Sequence, residues 1–180
     1  MKMLRVFLAC AALLAMPSLL FGHAVVFPKA SAPGAHEKYI LRVPNEKAVA
    51  TTRIEIRFPG DVRVTAFADV AGWKLEVLTD SAQRIIGAVW TGSLPAQRFV
   101  ELPFVAANPK TPGEIKWLTY QTYADGEKVE WTGEAGSKAP ASVTVLAVPA
   151  AAAPPASTGW VSWAALGVGV LALGLALRPR

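Results

Sequence analysis

The chain has 180 residues with a formal net charge of +5, 53% apolar and 17% charged residues, and a mean hydropathy of +0.36. That length fits one ordinary domain plus targeting segments, and that hydropathy excludes a disordered chain. Lys2, Arg5, Arg178 and Arg180 lie at the two ends, and without them 14 basic residues face 13 acidic ones, so nothing supports a nucleic-acid partner.

Residues 1–22 read as a secretory signal peptide. Lys2 and Arg5 precede an apolar run from Val6 to Met16 that is too short to span a bilayer, and Pro17 and Ser18 break it. Two cleavage points compete. Cleavage after Gly22 leaves His23 as the first residue, whereas cleavage after Ala24 gives the better small-x-small match and discards His23. Cys10 lies inside the run, so the mature chain has no cysteine and any metal site must use N and O ligands.

Residues 23–148 show period-2 alternation between turn signals and almost no helical periodicity. The clearest strand is Arg53-Ile54-Glu55-Ile56-Arg57-Phe58, closed by Pro59-Gly60, and Trp73-Lys74-Leu75-Glu76-Val77 repeats its pattern. Further strands are expected at 24–27, 37–43, 62–68, 85–91, 98–105, 115–123, 128–132 and 141–148, with Asp125-Gly126 as a hairpin turn. The fold expected is all-β, a two-sheet antiparallel sandwich of immunoglobulin-like or cupredoxin-like type. An Ala/Pro-rich linker follows at 149–159, and then an uncharged apolar stretch at 160–177 that reads as a C-terminal transmembrane helix. Trp160 and Trp163 suit one membrane interface, and the basic tail 178–180 suits the cytoplasmic side. The domain is therefore expected on the extracytoplasmic face of a cell membrane, either periplasmic or extracellular.

No nucleophile elbow, P-loop, dinucleotide fingerprint or HExxH motif occurs, and the chain has two histidines, His23 and His36. Nothing places a serine beside either histidine, so a hydrolase is disfavoured and no enzyme is expected. If the chain starts at His23, its α-amine and imidazole Nδ1 can close a chelate ring on one metal ion. Two such nitrogens favour Cu(II), which prefers tetragonal N/O coordination. His23 and Glu37 are symmetric about Ala30, so a strand turning back near Lys29 to Ser31 would set Glu37 opposite His23 as a third ligand. His36, its neighbour, would then point to the other face and stay exposed. Of the domain's four tryptophans, Trp131 follows a tight hairpin and is placed to reach the sandwich rim.

Several stretches in this order resemble the YcnI-like family of exported bacterial copper-binding proteins. They are His23-x-x-x-x-Pro28-Lys29, Gly34-Ala35-x-Glu37, Val43-Pro44-x-Glu46-Lys47, Thr51-Thr52, Gly72-Trp73-Lys74 and Asn108-Pro109-Lys110. The most distinctive is Tyr120-Gln121-x-Tyr123-x-Asp125-Gly126, running into Val129-Glu130-Trp131-Thr132-Gly133. The resemblance spans 23–148. It implies a cupredoxin-like sandwich that binds Cu(II) through a single-histidine brace, with His23 as the mature terminus, Glu37 as carboxylate ligand and Trp131 beside the ion. It also implies cleavage after Gly22. The expected function is a membrane-anchored copper chaperone, buffer or delivery factor, whose partners are the copper ion, the membrane and copper transporters or other extracytoplasmic copper proteins. Two alternatives stand beside it, a CopC-like carrier and a non-metal adhesion or assembly module. A blue-copper site needs a thiolate and a copper monooxygenase needs a second imidazole, so both are disfavoured.

Overall fold

The computed structural model describes residues 22–148, which belong to the first of two units into which the chain divides, Met1–Val148 and Pro149–Arg180. The signal peptide up to residue 21, the linker, the expected membrane helix and the basic tail lie outside the described residues. Among the described residues there is no helix.

Eleven strands run in chain order: β1 (Val25–Phe27), β2 (Ala30–Ser31), β3 (His36–Asn45), β4 (Thr51–Arg57), β5 (Arg63–Phe67), β6 (Lys74–Thr79), β7 (Ile85–Leu94), β8 (Arg98–Ala107), β9 (Gly113–Tyr123), β10 (Lys128–Trp131) and β11 (Ser142–Leu146). One sheet has the order β1-β3-β8-β5. The other has the order β2-β11-β9-β4-β7-β6, with β10 also pairing β9. Each of the ten expected strands is present, and only β2 was not anticipated. The Asp125-Gly126 turn joins β9 to β10 as expected. Gly126 takes a φ of +86°, which favours glycine, and its N–H donates to Tyr123 O (3.0 Å).

Alternation builds the core. Tyr39, Leu41 and Val43 of β3 and Leu102, Phe104 and Ala106 of β8 face Ile54, Ile56, Trp90, Ile115 and Trp117 of the second sheet. At its centre Tyr39 lies 4.8 Å from Trp117 and 5.5 Å from Phe104, ring centroid to centroid. Glu55 faces outward yet is nearly buried, because Arg53 (2.7 Å) and Arg57 (2.6 Å) on the same face of β4 fold over it.

The expected turn at Lys29–Ser31 is corrected. β1 and β3 pair antiparallel, but not as a hairpin: between them the chain crosses to the other sheet, where β2 lies parallel to β11. Three contacts hold the crossing. Val26 N–H donates to Ser142 Oγ (2.8 Å), Lys29 Nζ donates to the same oxygen (2.9 Å), and Thr144 Oγ1 donates to Pro28 O (2.8 Å). Thr144 Oγ1 also accepts from Trp117 Nε1–H (3.0 Å), which ties the crossing to the core.

The register of β1 on β3 follows from that crossing: Val25 pairs with Arg42, Val26 with Leu41 and Phe27 with Ile40. Continued by two residues, it brings His23 to Pro44, not to Glu37. Glu37 lies at the far end of β3, seven residues or about 23 Å of strand from Pro44. There it belongs to a structural network. Glu37 Oε2 accepts from Ser31 Oγ (2.7 Å), Ser31 Oγ accepts from Asn108 Nδ2 (3.0 Å), and Asn108 Oδ1 accepts from the buried Tyr39 hydroxyl (2.6 Å). Burial, reinforced by the Glu37 charge and opposed by the bond to Asn108, pushes the Tyr39 phenol up to about 12.

Two measurements check this framework. Thr144→Val leaves the buried Trp117 N–H without a partner, and should lower unfolding stability by about 1–3 kcal/mol in a denaturant titration with unchanged slope. Tyr39 is an acid whose folded form keeps a proton that the unfolded chain releases near pH 10. Stability is therefore intact below about pH 10 and falls as pH rises toward 12. In an alkaline unfolding series, Tyr39→Phe should lose that part of the pH dependence.

Candidate metal centre

The site forms where the start of the domain reaches the rim of the sandwich. β3 ends at Asn45, and the turn that follows carries Glu46 and Lys47. Asn45 is buried and fixes this turn with its side chain: Nδ2 donates to Val49 O and Leu94 O (both 2.9 Å), and Oδ1 accepts from Lys47 N–H (3.0 Å). Gln97 N–H donates to Asn45 O (2.7 Å), which joins the β7–β8 turn to the same rim.

His23 is exposed and precedes β1. Its imidazole meets the Trp131 indole edge-on, with centroids 5.6 Å apart and planes at 79°. The Gly22 peptide N–H, one residue upstream of the nitrogen that would become an α-amine, donates to Glu46 Oε1 (2.5 Å). The exposed Glu46 carboxylate therefore sits at the backbone from which the mature chain would start. Trp131 ends β10 opposite Thr119 of β9 and is only 6% exposed. Its Nε1–H donates to Gln121 Oε1 (3.2 Å), which turns the ring face and edge rather than its polar atom toward the rim.

A cleft of about 620 Å³ opens beside these residues, with Pro44, Val129 and Ala139 in its walls and Lys47, Glu127 and Lys138 among its charged groups. Lys47 forms an ion pair with Glu127, and its ammonium lies 4.4 Å from the centre of the Tyr123 ring. Burial, and then the charges of Glu127, Glu46 and Asp125, raise the Tyr123 phenol above its ordinary value.

Of the residues singled out from the sequence, His23 and Trp131 are brought together. Glu37 is at the opposite end of the sandwich, and exposed His36 lies there too, paired with Ala107. The carboxylate beside His23 is Glu46. The sequence did contain a signal for it, the Val43-Pro44-x-Glu46-Lys47 stretch, but only the register of β1 tells which glutamate meets the chain start. Among the described residues no three His, Cys, Asp or Glu side chains cluster closely enough to hold a metal ion. Beside the start of the domain lie one imidazole and the Glu46 carboxylate, while Glu127 in the same cleft is paired with Lys47, and the backbone can offer a further donor. A free amine at His23 would be such a donor, and the resulting set would fit a metal that accepts nitrogen and oxygen without thiolate.

A family model described as a domain of unknown function, DUF1775, matches residues 23–152. The copper-binding protein CutI of Bacillus subtilis (strain 168) is 35% identical over 124 residues, which cover 68% of this chain and 61% of CutI. The chain thus spans about three fifths of that relative's length. Among solved structures, an uncharacterized protein from Nocardia farcinica, reported to have an immunoglobulin-like fold, matches with a TM-score of 0.60 at 24% identity. The match covers 70% of this chain and 99% of that one, and it bears on the fold alone: of the two sandwich types expected, the immunoglobulin-like one is met. The seventh ScaB type I cohesin of Pseudobacteroides cellulosolvens, at a TM-score of 0.47 and 7% identity over 74% of this chain and 96% of that one, is too distant to argue from. The family resemblance drawn from the sequence is borne out: the chain belongs to the DUF1775 family.

Proposed function

We propose that this domain binds Cu(II) on the extracytoplasmic face of a membrane and acts as a copper chaperone, buffer or delivery factor. The observation that carries the reading is the placement of the Gly22 N–H on Glu46 Oε1, beside an imidazole that rests against Trp131. Signal cleavage after Gly22 turns the next backbone nitrogen into a free amine. The amine and the His23 imidazole are then the nitrogen donors and the Glu46 carboxylate is the oxygen donor, a set suited to Cu(II). Glu46 replaces Glu37 in this role. The name of the CutI relative, a copper-binding protein, supports the choice of ion.

The side chains around the donors also suit a holding role. The indole edge shields one side of His23 from water and limits access by redox partners. The carboxylate offsets part of the ion's charge. The chain's other imidazole, His36, is at the far end of the sandwich, so a two-histidine brace of the kind oxygen-activating copper enzymes use cannot assemble within one chain. The basic C-terminal tail and the apolar stretch at 160–177 supply the membrane tether in this reading.

Intact mass and metal analysis of the exported chain should give a first residue of His23 and bound copper. A start at Val25 removes both proposed nitrogen donors and overturns the reading. In a competition titration, one extra residue before His23 should weaken Cu(II) binding by orders of magnitude. Glu46→Gln should weaken binding and change the Cu(II) EPR spectrum, whereas Glu37→Gln and His36→Ala should do neither. Weakening by Glu37→Gln with none by Glu46→Gln overturns the assignment.

A further inference from the structure

The inward row of β9 begins as ordinary core, with Ile115 and Trp117, and then turns polar at Thr119 and Gln121. Gln121 is wholly buried, 0% exposed, in a position where a sandwich strand ordinarily carries an apolar side chain. Its amide is committed in three directions. Oε1 accepts from Trp131 Nε1–H (3.2 Å), while Nε2 donates to Pro44 O (2.9 Å) and to Thr51 Oγ1 (2.8 Å). Only one orientation of the amide satisfies these partners. Exchanging its oxygen and nitrogen would set a donor against the indole N–H and an acceptor against the Pro44 carbonyl.

Trp131 and Pro44 are the two walls that flank His23. The indole meets the imidazole, and Pro44 lies opposite His23 in the β1–β3 register, two residues before Glu46. The two walls belong to different sheets, Pro44 to the sheet of β3 and Trp131 to that of β10. A single side chain therefore spans the sandwich at its rim and sets the spacing between them. A buried polar group so fully bonded holds one geometry, since any movement of either wall leaves a polar atom unpaired.

We infer that Gln121 is a positioning residue for the centre: by clamping the Trp131 indole and the Pro44 carbonyl together across the two sheets, it fixes the indole against His23 and the Glu46 turn beside them. Its effect on Cu(II) binding rests on the function proposed above, but the clamp itself exists without metal and is tested without it.

The test uses the mature full-length chain, first metal-free. Gln121→Met keeps the length of the side chain and removes all three bonds. It should shift the His23 imidazole NMR resonances and speed hydrogen exchange at the Trp131 indole N–H, the signal being assigned with Trp131→Phe. Thr51→Val removes one of the amide's three bonds and should move the same signals less in the same direction, and it decides the matter if Gln121→Met does not fold. Unmoved His23 and Trp131 signals in a folded variant overturn the clamp. With Cu(II) added, Gln121→Met should weaken binding about 10- to 100-fold and alter the EPR spectrum, in the range seen when groups that orient metal ligands are lost. A Val64→Ala control, which removes buried volume from β5 at the end of the sandwich where Glu37 lies, should leave affinity unchanged, and equal losses in the two variants overturn the positioning role. If the unaltered chain binds no Cu(II) while the metal-free signals move as described, the copper reading fails and the clamp stands.

Discussion

The pairing of β1 with β3 is the constraint on which the rest of the site depends. It spans three residue pairs, Val25–Arg42, Val26–Leu41 and Phe27–Ile40, yet it decides which end of the sandwich receives the start of the domain. Because side chains alternate and strands rise about 3.3 Å per residue, a fixed register fixes both the face and the height of every residue before it. Ala24 and Val26 enter the core and His23 is delivered to the rim beside Pro44. The crossing of the chain to β11 at Pro28 and Lys29 locks this register, since a hairpin between β1 and β3 would have set a different one.

The rim itself is built by turns that hold one another. Asn45 bonds to the backbone of its own turn and of β7, Gln97 bonds back to Asn45, and Ala124 N–H donates to Ala50 O (2.9 Å) next to the β9–β10 hairpin. Glu46 thus projects from a turn fixed on several sides, while Trp131 projects from a strand fixed by β9. A site assembled from a chain start, a turn and a strand end has little local sequence in common, and its precision comes from the hydrogen bonds among these parts.

The two ends of the sandwich use carboxylates in different ways. Glu37 bonds to Ser31 within a network that reaches Asn108 and the buried Tyr39, so it serves the packing of β2, β3 and β8. Glu46 is exposed, and its contact in the structure is with the backbone of the chain start. In the proposed reading the core and the rim bonds of Asn45, Gln97 and Gln121 stand without any residue before His23, whereas the bond from Gly22 N–H to Glu46 is given up on cleavage. Cleavage then frees the Glu46 carboxylate from Gly22 and turns the His23 nitrogen into an amine at a rim already shaped.

Most of the fold was legible in the sequence. Alternation along each strand and the Asp125-Gly126 turn are local patterns, and a strand that buries one face must display period-2 hydrophobicity wherever it sits. The place of Trp131 at the rim was also legible, through the hairpin that precedes it. Which glutamate lies beside His23 was not. Symmetry about Ala30 assumed a hairpin, and two-residue β2, parallel to β11, has no pattern long enough to announce that the chain instead crosses between sheets. Gln121 was visible as part of a distinctive stretch but not as a buried clamp, because its partners Pro44 and Thr51 lie about 70 residues or more away in sequence. Sequence by itself determined the elements, whose signals are carried by neighbours along the chain. Tertiary structure alone decided the register and the contacts across sheets, because these depend on which distant strands share hydrogen bonds.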